Sequence, residues 1–279
     1  KLNYMIMTKQ IAIFIMAFIL FSSCCQQDCA RSENEENADL YGASDYLISA
    51  TLWYQNAAEL RALYYQAYNV AKQALIQNLA KHNGEKPPAI VFDLDETVLD
   101  NSFYEADLIF SQTSYTTESW KEWTDMESAK ALPGALEFVE FAMSTGVEIF
   151  YVSNRRTNEL ESTYQNISKL GFPEVPIENY IFRDAESSKI ERRSKISENY
   201  EIILLLGDNL NDFAGDFEDR AANNGFEAVD ANKDMFGTKY IVFPNPMYGA
   251  WQGPLNTDED LSPHQNRLNA LVGSADLCK

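Results

Sequence analysis

Apolar residues recur at helical spacing near the start of the patterned part of the chain: Leu47, Leu52, Trp53, Leu60, Leu63, Tyr64, Tyr68, Ala71, Leu75 and Leu79. No Gly or Pro interrupts residues 44 to 82. This predicts one long helix or two packed helices, ending near His82-Asn83-Gly84 with Pro87-Pro88 beyond. From Ala89 the period changes. Short continuous apolar runs (Ala89–Phe92, Val147–Val152, Ile202–Leu206 and Tyr240–Phe243) alternate with amphipathic stretches over roughly 134–145, 156–170, 187–199 and 211–224. Continuous apolar runs suit strands covered on both faces. Their alternation with helices predicts an α/β fold, a Rossmann-like parallel sheet flanked by helices. In such sheets ligands bind at the carboxyl ends of strands. Too few residues separate Thr97 from Val147 for a large inserted cap, so the cap is expected to be small or missing.

The 279 residues are 46% hydrophobic, enough for one large core and an accessory region. A net charge of -20 repels nucleic-acid backbones, which argues against a nucleic-acid partner. It also means that any phosphate site needs local positive charge. The cysteines are Cys24, Cys25, Cys29 and Cys278, with no Cys-x-x-Cys pair, and His82 and His264 stand alone as expected surface residues. A thiolate or imidazole metal site is therefore not expected. Any metal should be a hard cation held by oxygens.

The apolar run Ile11–Phe21 is too short to span a bilayer comfortably and reads as a signal-peptide core. Residues 1–23 are expected to be a signal peptide and 24–41 a polar, acidic tether. Residues 42–86 should form an N-terminal helical region and 87–279 the catalytic core. Leu20-Phe21-Ser22-Ser23-Cys24 resembles a bacterial lipobox, with Phe21 where Leu is usual and Cys24 as the lipidated residue. Cys25 or Cys29 could pair with Cys278, which sequence leaves open.

The chemistry gathers at strand ends. Ile90-Val-Phe-Asp93-Leu-Asp95-Glu-Thr97 ends a buried run in two aspartates. Taken alone, that is more often an acidic turn, because such turns are common. As chemistry, it suits a carboxylate nucleophile beside a carboxylic acid. The second run ends in Ser153-Asn154-Arg155 and the third in Gly207-Asp208-Asn209-Leu-Asn211-Asp212. Between them lies Ser187-Ser-Lys189-Ile-Glu-Arg192-Arg193, a basic patch in an acidic chain. Parallel wiring would bring all four to one edge.

These segments resemble the motifs of the haloacid dehalogenase superfamily: Asp93-x-Asp95-x-Thr97, then Ser153, then Lys189 (with Lys195 nearby), then Gly207-Asp208-x-x-x-Asp212. Within it the chain resembles the class C nonspecific acid phosphatases, outer-membrane lipoproteins that include 5′-nucleotidases, through Leu99-Asp-Asn101-Ser, Trp120-Lys-Glu-Trp123, Pro133-Gly-Ala and Asn245-Pro-Met-Tyr248-Gly-Ala-Trp251. Asn211 departs from the aspartate more usual there.

The resemblance implies a Mg²⁺-dependent acid phosphatase acting on phosphate monoesters, nucleoside 5′-monophosphates among them. Asp93 would be the nucleophile and form an aspartyl-phosphate. Asp95 would be the general acid and base, a task that favours acidic pH. Mg²⁺ would sit on Asp93, the Asp95 backbone carbonyl and Asp208, with Asp212 behind. Ser153, Asn154 and Lys189 would hold the phosphoryl oxygens. Trp120 and Tyr248 would meet the organic part of the substrate, with Asn101, Trp123 and Arg155 lining the site. A homodimer through the N-terminal helices and a periplasmic or surface-facing outer-membrane location are further expectations. A phosphotransferase and a non-catalytic nucleotide- or cofactor-binding lipoprotein are the alternatives.

Overall fold

The computed structural model describes residues 44–221 and 223–273. The expected signal peptide, the whole of the tether, and all four cysteines lie outside the described residues. Residues 44–270 belong to one compact unit; Leu271 to Gly273 have no regular secondary structure.

The helical pattern before residue 82 resolves into two helices, α1 (Ile48–Asn56) and α2 (Ala58–Lys81). Ala57 breaks them apart with an extended backbone. The break lets Tyr54 turn back, so that its hydroxyl meets that of Tyr64. With 24 residues, α2 is about 36 Å long. It stops at His82, which is half-buried, as is His264.

The core sheet holds β1 (Pro88–Phe92), β4 (Glu148–Arg156), β5 (Tyr180–Arg183), β6 (Glu201–Gly207) and β7 (Tyr240–Val242). Their order is β5-β4-β1-β6-β7, and every pairing is parallel. β1, apolar throughout, takes the centre beside the apolar run Ile149–Val152 of β4, because helices cover both faces. On one face Phe92, Tyr151 and Phe138 pack with Tyr68, Tyr64 and Phe243. On the other, Val91, Phe150, Val152 and Leu205 pack with Ile196, Phe213, Phe217 and Tyr240. The direction in which successive strands are added reverses at β1. β4 and β5 build outward on one side, and β6 and β7 on the other, which opens a crevice at the carboxyl end of β1.

Between β1 and β4 lies a small insertion instead of a cap domain. It comprises α3 (Ser102–Ser111), α4 (Thr117–Asp125) and a two-stranded ribbon of β2 (Leu99–Asp100) with β3 (Lys130–Ala131). The expected helices after β3, β4 and β5 are present as α5 (Ala135–Ser144), α6 (Leu160–Lys169) and α7 (Ile190–Asn199). The chain closes with α8 (Phe226–Ala231) and α9 (Pro263–Ala270).

The fourth expected helix, 211–224, is corrected. That stretch holds 3-10 turns at Leu210–Asp212, Gly215–Phe217 and Asn223–Gly225. Asn209 and Asp212 divert the backbone: the Asn209 side chain accepts from the Asn211 N–H, and Asp212 accepts from the Asn209 N–H. Side chains that bond nearby backbone in this way compete with helix formation. The apolar spacing of Phe213 and Phe217 mimicked a helix while serving two successive turns.

Candidate active site

Strand register accounts for how distant aspartates meet. Phe92 lies opposite Leu206 in the β1–β6 pairing, and the Asp93 N–H donates to the Leu206 carbonyl at 2.8 Å. Asp93 and Asp208 therefore leave adjacent strands side by side. Asp212 returns to them through the turn after β6. A Cβ on Gly207 would lie 2.3 Å from Asp212 Oδ2, so only glycine leaves room for that return. Carboxylate oxygens of Asp93, Asp208 and Asp212 come within 4.8 Å of one another.

Lys189, 4% exposed, reaches this cluster from just before α7. Its ammonium donates to Asp93 Oδ1 and pairs with Asp212 Oδ1 at 2.6 Å. Lys195 is exposed on α7, so Lys189 is the lysine of the site. Asn245 Nδ2 donates to Asp208 Oδ2 at 2.7 Å. Burial pushes the Asp93 carboxyl up to about 7, with Asp212 and Asp95 adding to the rise and Lys189 opposing it. Burial, with Asp93 and Asp212 beside it, holds Asp208 well above the usual carboxylate range. Burial works against charge on Lys189, but Asp212 and Asp93 outweigh it and keep the ammonium protonated.

Three carboxylates thus face one ammonium, an excess of two negative charges in a buried space. Oxygen donors with that charge fit a hard divalent cation. Asp212 differs from Asp93 and Asp208 in having both oxygens already engaged, one by Lys189 and one by the Asn209 N–H at 3.0 Å.

Asp95 is held separately. Its Oδ1 accepts from Arg155 Nε at 3.0 Å, Arg155 Nη2 at 2.8 Å and Asn101 Nδ2 at 2.9 Å. Among the described residues its Oδ2 has only the Ser153 hydroxyl, at 3.4 Å. The turn that carries it is tight. Glu96 adopts a left-handed backbone at φ 54°, a conformation that costs a non-glycine residue about 1 kcal/mol or more. Three contacts secure it: the Glu96 N–H donates to the Leu99 carbonyl, its own carbonyl accepts from Tyr64 Oη, and its carboxylate accepts from the Asn101 N–H at 2.8 Å. Tyr68 Oη donates to the next carbonyl, that of Thr97, at 2.7 Å.

A cavity of about 690 Å³ opens over this centre. Asp93, Asp95, Asn154, Lys189, Asp208 and Asp212 reach its wall at one end, and Trp120, Tyr248 and Arg155 also line it. Two expected substrate neighbours lie elsewhere. Asn101 is fully buried behind Asp95, with its Oδ1 accepting from Trp123 Nε1 at 2.9 Å and Arg155 Nη2 at 3.2 Å. Trp123 is buried with it. Arg155, 2% exposed, orients Asp95 and donates to Thr163 Oγ1 at 2.9 Å. Ser153 is fully buried, its Oγ accepting from the Arg155 N–H at 3.0 Å.

Sequence reasoning overlooked Arg192 as a structural tie. Its Nη1 donates to the Ser153 carbonyl at 2.6 Å and its Nη2 to Asn154 Oδ1 at 2.6 Å and the Ser187 carbonyl at 3.1 Å, joining two loops of the site. It also overlooked Glu105, a buried acid on the cavity wall. A charged residue repeatedly followed by apolar ones on one short helix was the available signal for neither.

A family model described as HAD superfamily, subfamily IIIB (acid phosphatase), matches residues 17–251. The chain belongs to this family. It is similar to the class C acid phosphatase of Bacillus anthracis, with 40% identity, 83% of this chain and 98% of that chain covered, and a TM-score of 0.78. A structure of that bacterium's class C acid phosphatase with tungstate bound gives 41% identity, coverage of 82% and 98%, and a TM-score of 0.77. Among curated proteins it is similar to acid phosphatase 1 of Solanum lycopersicum, at 25% identity over 57% of each chain. The chain spans about half the length of the curated plant relatives it matches.

Proposed function

We propose that this chain is a Mg²⁺-dependent acid phosphatase that hydrolyses phosphate monoesters, nucleoside 5′-monophosphates included, through an aspartyl-phosphate on Asp93. The observation that carries the reading is the meeting of Asp93, Asp208 and Asp212 within 4.8 Å, with Lys189 bonded to Asp93. Asp93, the Asp95 carbonyl and Asp208 would hold the cation, with Asp212 fixing the set from its bonds to Lys189 and Asn209. The bound cation would offset charge on Asp93 and on the phosphoryl oxygens.

Asp93 attacks phosphorus, and the bond from phosphorus to the leaving oxygen breaks. Asp95 gives its proton to that oxygen. Its Oδ1 is taken up by Arg155 and Asn101, so Oδ2 is the atom that carries the proton. Water then attacks the phosphorus, its proton passes to Asp95, and the Asp93–phosphorus bond breaks to release inorganic phosphate. Lys189 and the Asn154 amide hold the phosphoryl oxygens, since both face the cavity. Ser153 and Asn101 act through Asp95. A proton supplied by a carboxylic acid in the first step favours acidic medium. That the Bacillus anthracis relative binds tungstate supports an oxyanion ligand. The indole of Trp120 and the Tyr248 ring support an aromatic leaving group; the Tyr248 hydroxyl is buried with no hydrogen-bond partner among the described residues.

Removing metal is the direct test. Protein stripped with EDTA releases no phosphate from p-nitrophenyl phosphate or AMP at pH 5.5, and added Mg²⁺ restores release. Undiminished turnover in chelator overturns the metal-dependent reading.

Membrane attachment through Cys24, an outer-membrane location and a homodimer complete the proposal. The lipobox-like Leu20–Cys24 supports the first two. Leu63, Tyr65, Val70 and Ile76, exposed on α2, support an interface there. An unmodified Cys24 by mass spectrometry of the mature protein, or a monomer by sedimentation, would contradict these parts.

A further inference from the structure

Glu105 takes no part in phosphoryl transfer, yet the fold buries it on the wall of the same cavity. It sits in the first turn of α3, 6% exposed. Among the described residues, no hydrogen bond or ion pair reaches its carboxylate. Burial alone pushes that carboxyl up to about 7. The titratable groups that sense it are two tyrosines, Tyr46 and Tyr104, whose hydroxyls burial raises further. Buried polar groups are almost always paired. The Glu105 carboxylate opens onto the cavity, where the buried Tyr248 hydroxyl also has no partner among the described residues, so this wall is set to receive a polar ligand edge.

The surroundings narrow the ligand. Trp120, Tyr115, Tyr46 and Tyr248 line the same cavity, so aromatic faces stand alongside Glu105 while Asp93 and Lys189 mark the phosphoryl centre. Trp120 has Tyr104 edge-on at 5.1 Å and Tyr115 tilted at 6.2 Å. A flat ring attached to the phosphate group would meet these faces. An ionised carboxylate has acceptors only. It rewards an amino group at the ring edge and is repelled by a carbonyl oxygen in the same place. We infer that Glu105 is a specificity-determining residue that selects nucleoside 5′-monophosphates whose base edge carries an amino group over those carrying an oxo group. This rests on the phosphatase reading and refines its substrate class.

Adenine against hypoxanthine and cytosine against uracil are amino–oxo pairs of nearly equal size, which makes them the natural probes. The Mg²⁺-loaded protein is assayed at pH 7.5, where Glu105 is largely ionised, for kcat and KM on AMP, IMP, CMP and UMP. The wild type is expected to favour AMP over IMP and CMP over UMP by about tenfold, the worth of one good hydrogen bond to a charged group. Glu105→Gln brings both ratios close to one, because an amide meets either edge, and the change falls on KM more than on kcat. Should that variant fail to fold, Glu105→Ala carries the same expectation. Wild-type ratios near one, or ratios that survive both substitutions, overturn the inference. A wild type that cleaves p-nitrophenyl phosphate but none of the four nucleotides also overturns it, while the phosphatase reading stands. A wild type that cleaves none of the five substrates at pH 7.5 or at pH 5.5 defeats the phosphatase reading itself.

Discussion

Asp93→Asn protein folds normally and releases phosphate from p-nitrophenyl phosphate more slowly by about four orders of magnitude or more, the range seen when a covalent nucleophile is deleted. An amide oxygen is a poor nucleophile and cannot form the mixed anhydride through which the phosphoryl group passes. Stability moves the other way. The folded-state carboxyl of Asp93 lies near 7, above its ordinary 3.8. Between those values the folded protein binds the proton that the unfolded chain has lost, so this group's contribution to stability declines as pH rises through that window. Asparagine carries no such charge. The variant's melting temperature in EDTA at pH 7.5 therefore holds or rises, even though its bond from Lys189 is weakened. Rapid turnover by the variant assigns the attacking oxygen to another residue.

The second large effect comes from Lys189→Met. The methionine fills similar volume and carries no charge, which leaves the carboxylates of Asp93, Asp208 and Asp212 within 4.8 Å of one another with no cationic side chain paired to them among the described residues. Removing one partner of a buried ion pair costs about 3–5 kcal/mol. In EDTA at neutral pH, denaturant unfolding of the variant should fall by about that amount. Saturating Mg²⁺ recovers part of the loss, because binding to the folded state alone stabilises it. Turnover stays low even with metal, since the phosphoryl oxygens lose a charged donor. Unchanged unfolding in EDTA would mean that the ammonium contributes little to holding the carboxylates together.

The two effects separate because the cluster is crowded with like charge. Deleting an acid relieves it, whereas deleting the base exposes it. Arg155 illustrates a different kind of dependence. Its guanidinium touches Asp95, Asn101 and Thr163, and its backbone N–H bonds the Ser153 hydroxyl. It is a positioning residue, and its site role is to keep Asp95 Oδ2 turned outward.

Much of this was readable before any coordinates, and unevenly so. The central strands β1, β4 and β6 announced themselves because burial on both faces demands unbroken apolar runs. β5 did not, since the edge strand Tyr180–Arg183 alternates buried and half-buried residues. Asp93, Asp95, Lys189, Asp208 and Asp212 were legible because parallel wiring sends each segment that follows a strand to the same edge. Asn101 was placed in the right neighbourhood but lies behind Asp95 and off the cavity wall, whereas Arg155 lines the cavity while also bonding Asp95. The tight turn at Glu96 folds Asn101 back under Asp95, a local reversal that no periodicity encodes. Glu105 looked like any acid in a helix's first turn, where negative charge is common on electrostatic grounds. Only the tertiary arrangement that buries it reveals its isolation.

The long helix α2 rests on β6 and β7. Its Asn78 Nδ2 donates to the carbonyls of Ile203 and Thr238, while Tyr64 and Tyr68 brace the catalytic turn. During synthesis this segment emerges early, but the strands that shelter it come last. A chain that stops before residue 240 still holds β6 and lacks the β7 part of that seat. Cutting the connection near residue 84 would likewise yield two pieces that must find each other to work, a natural starting point for a split reporter.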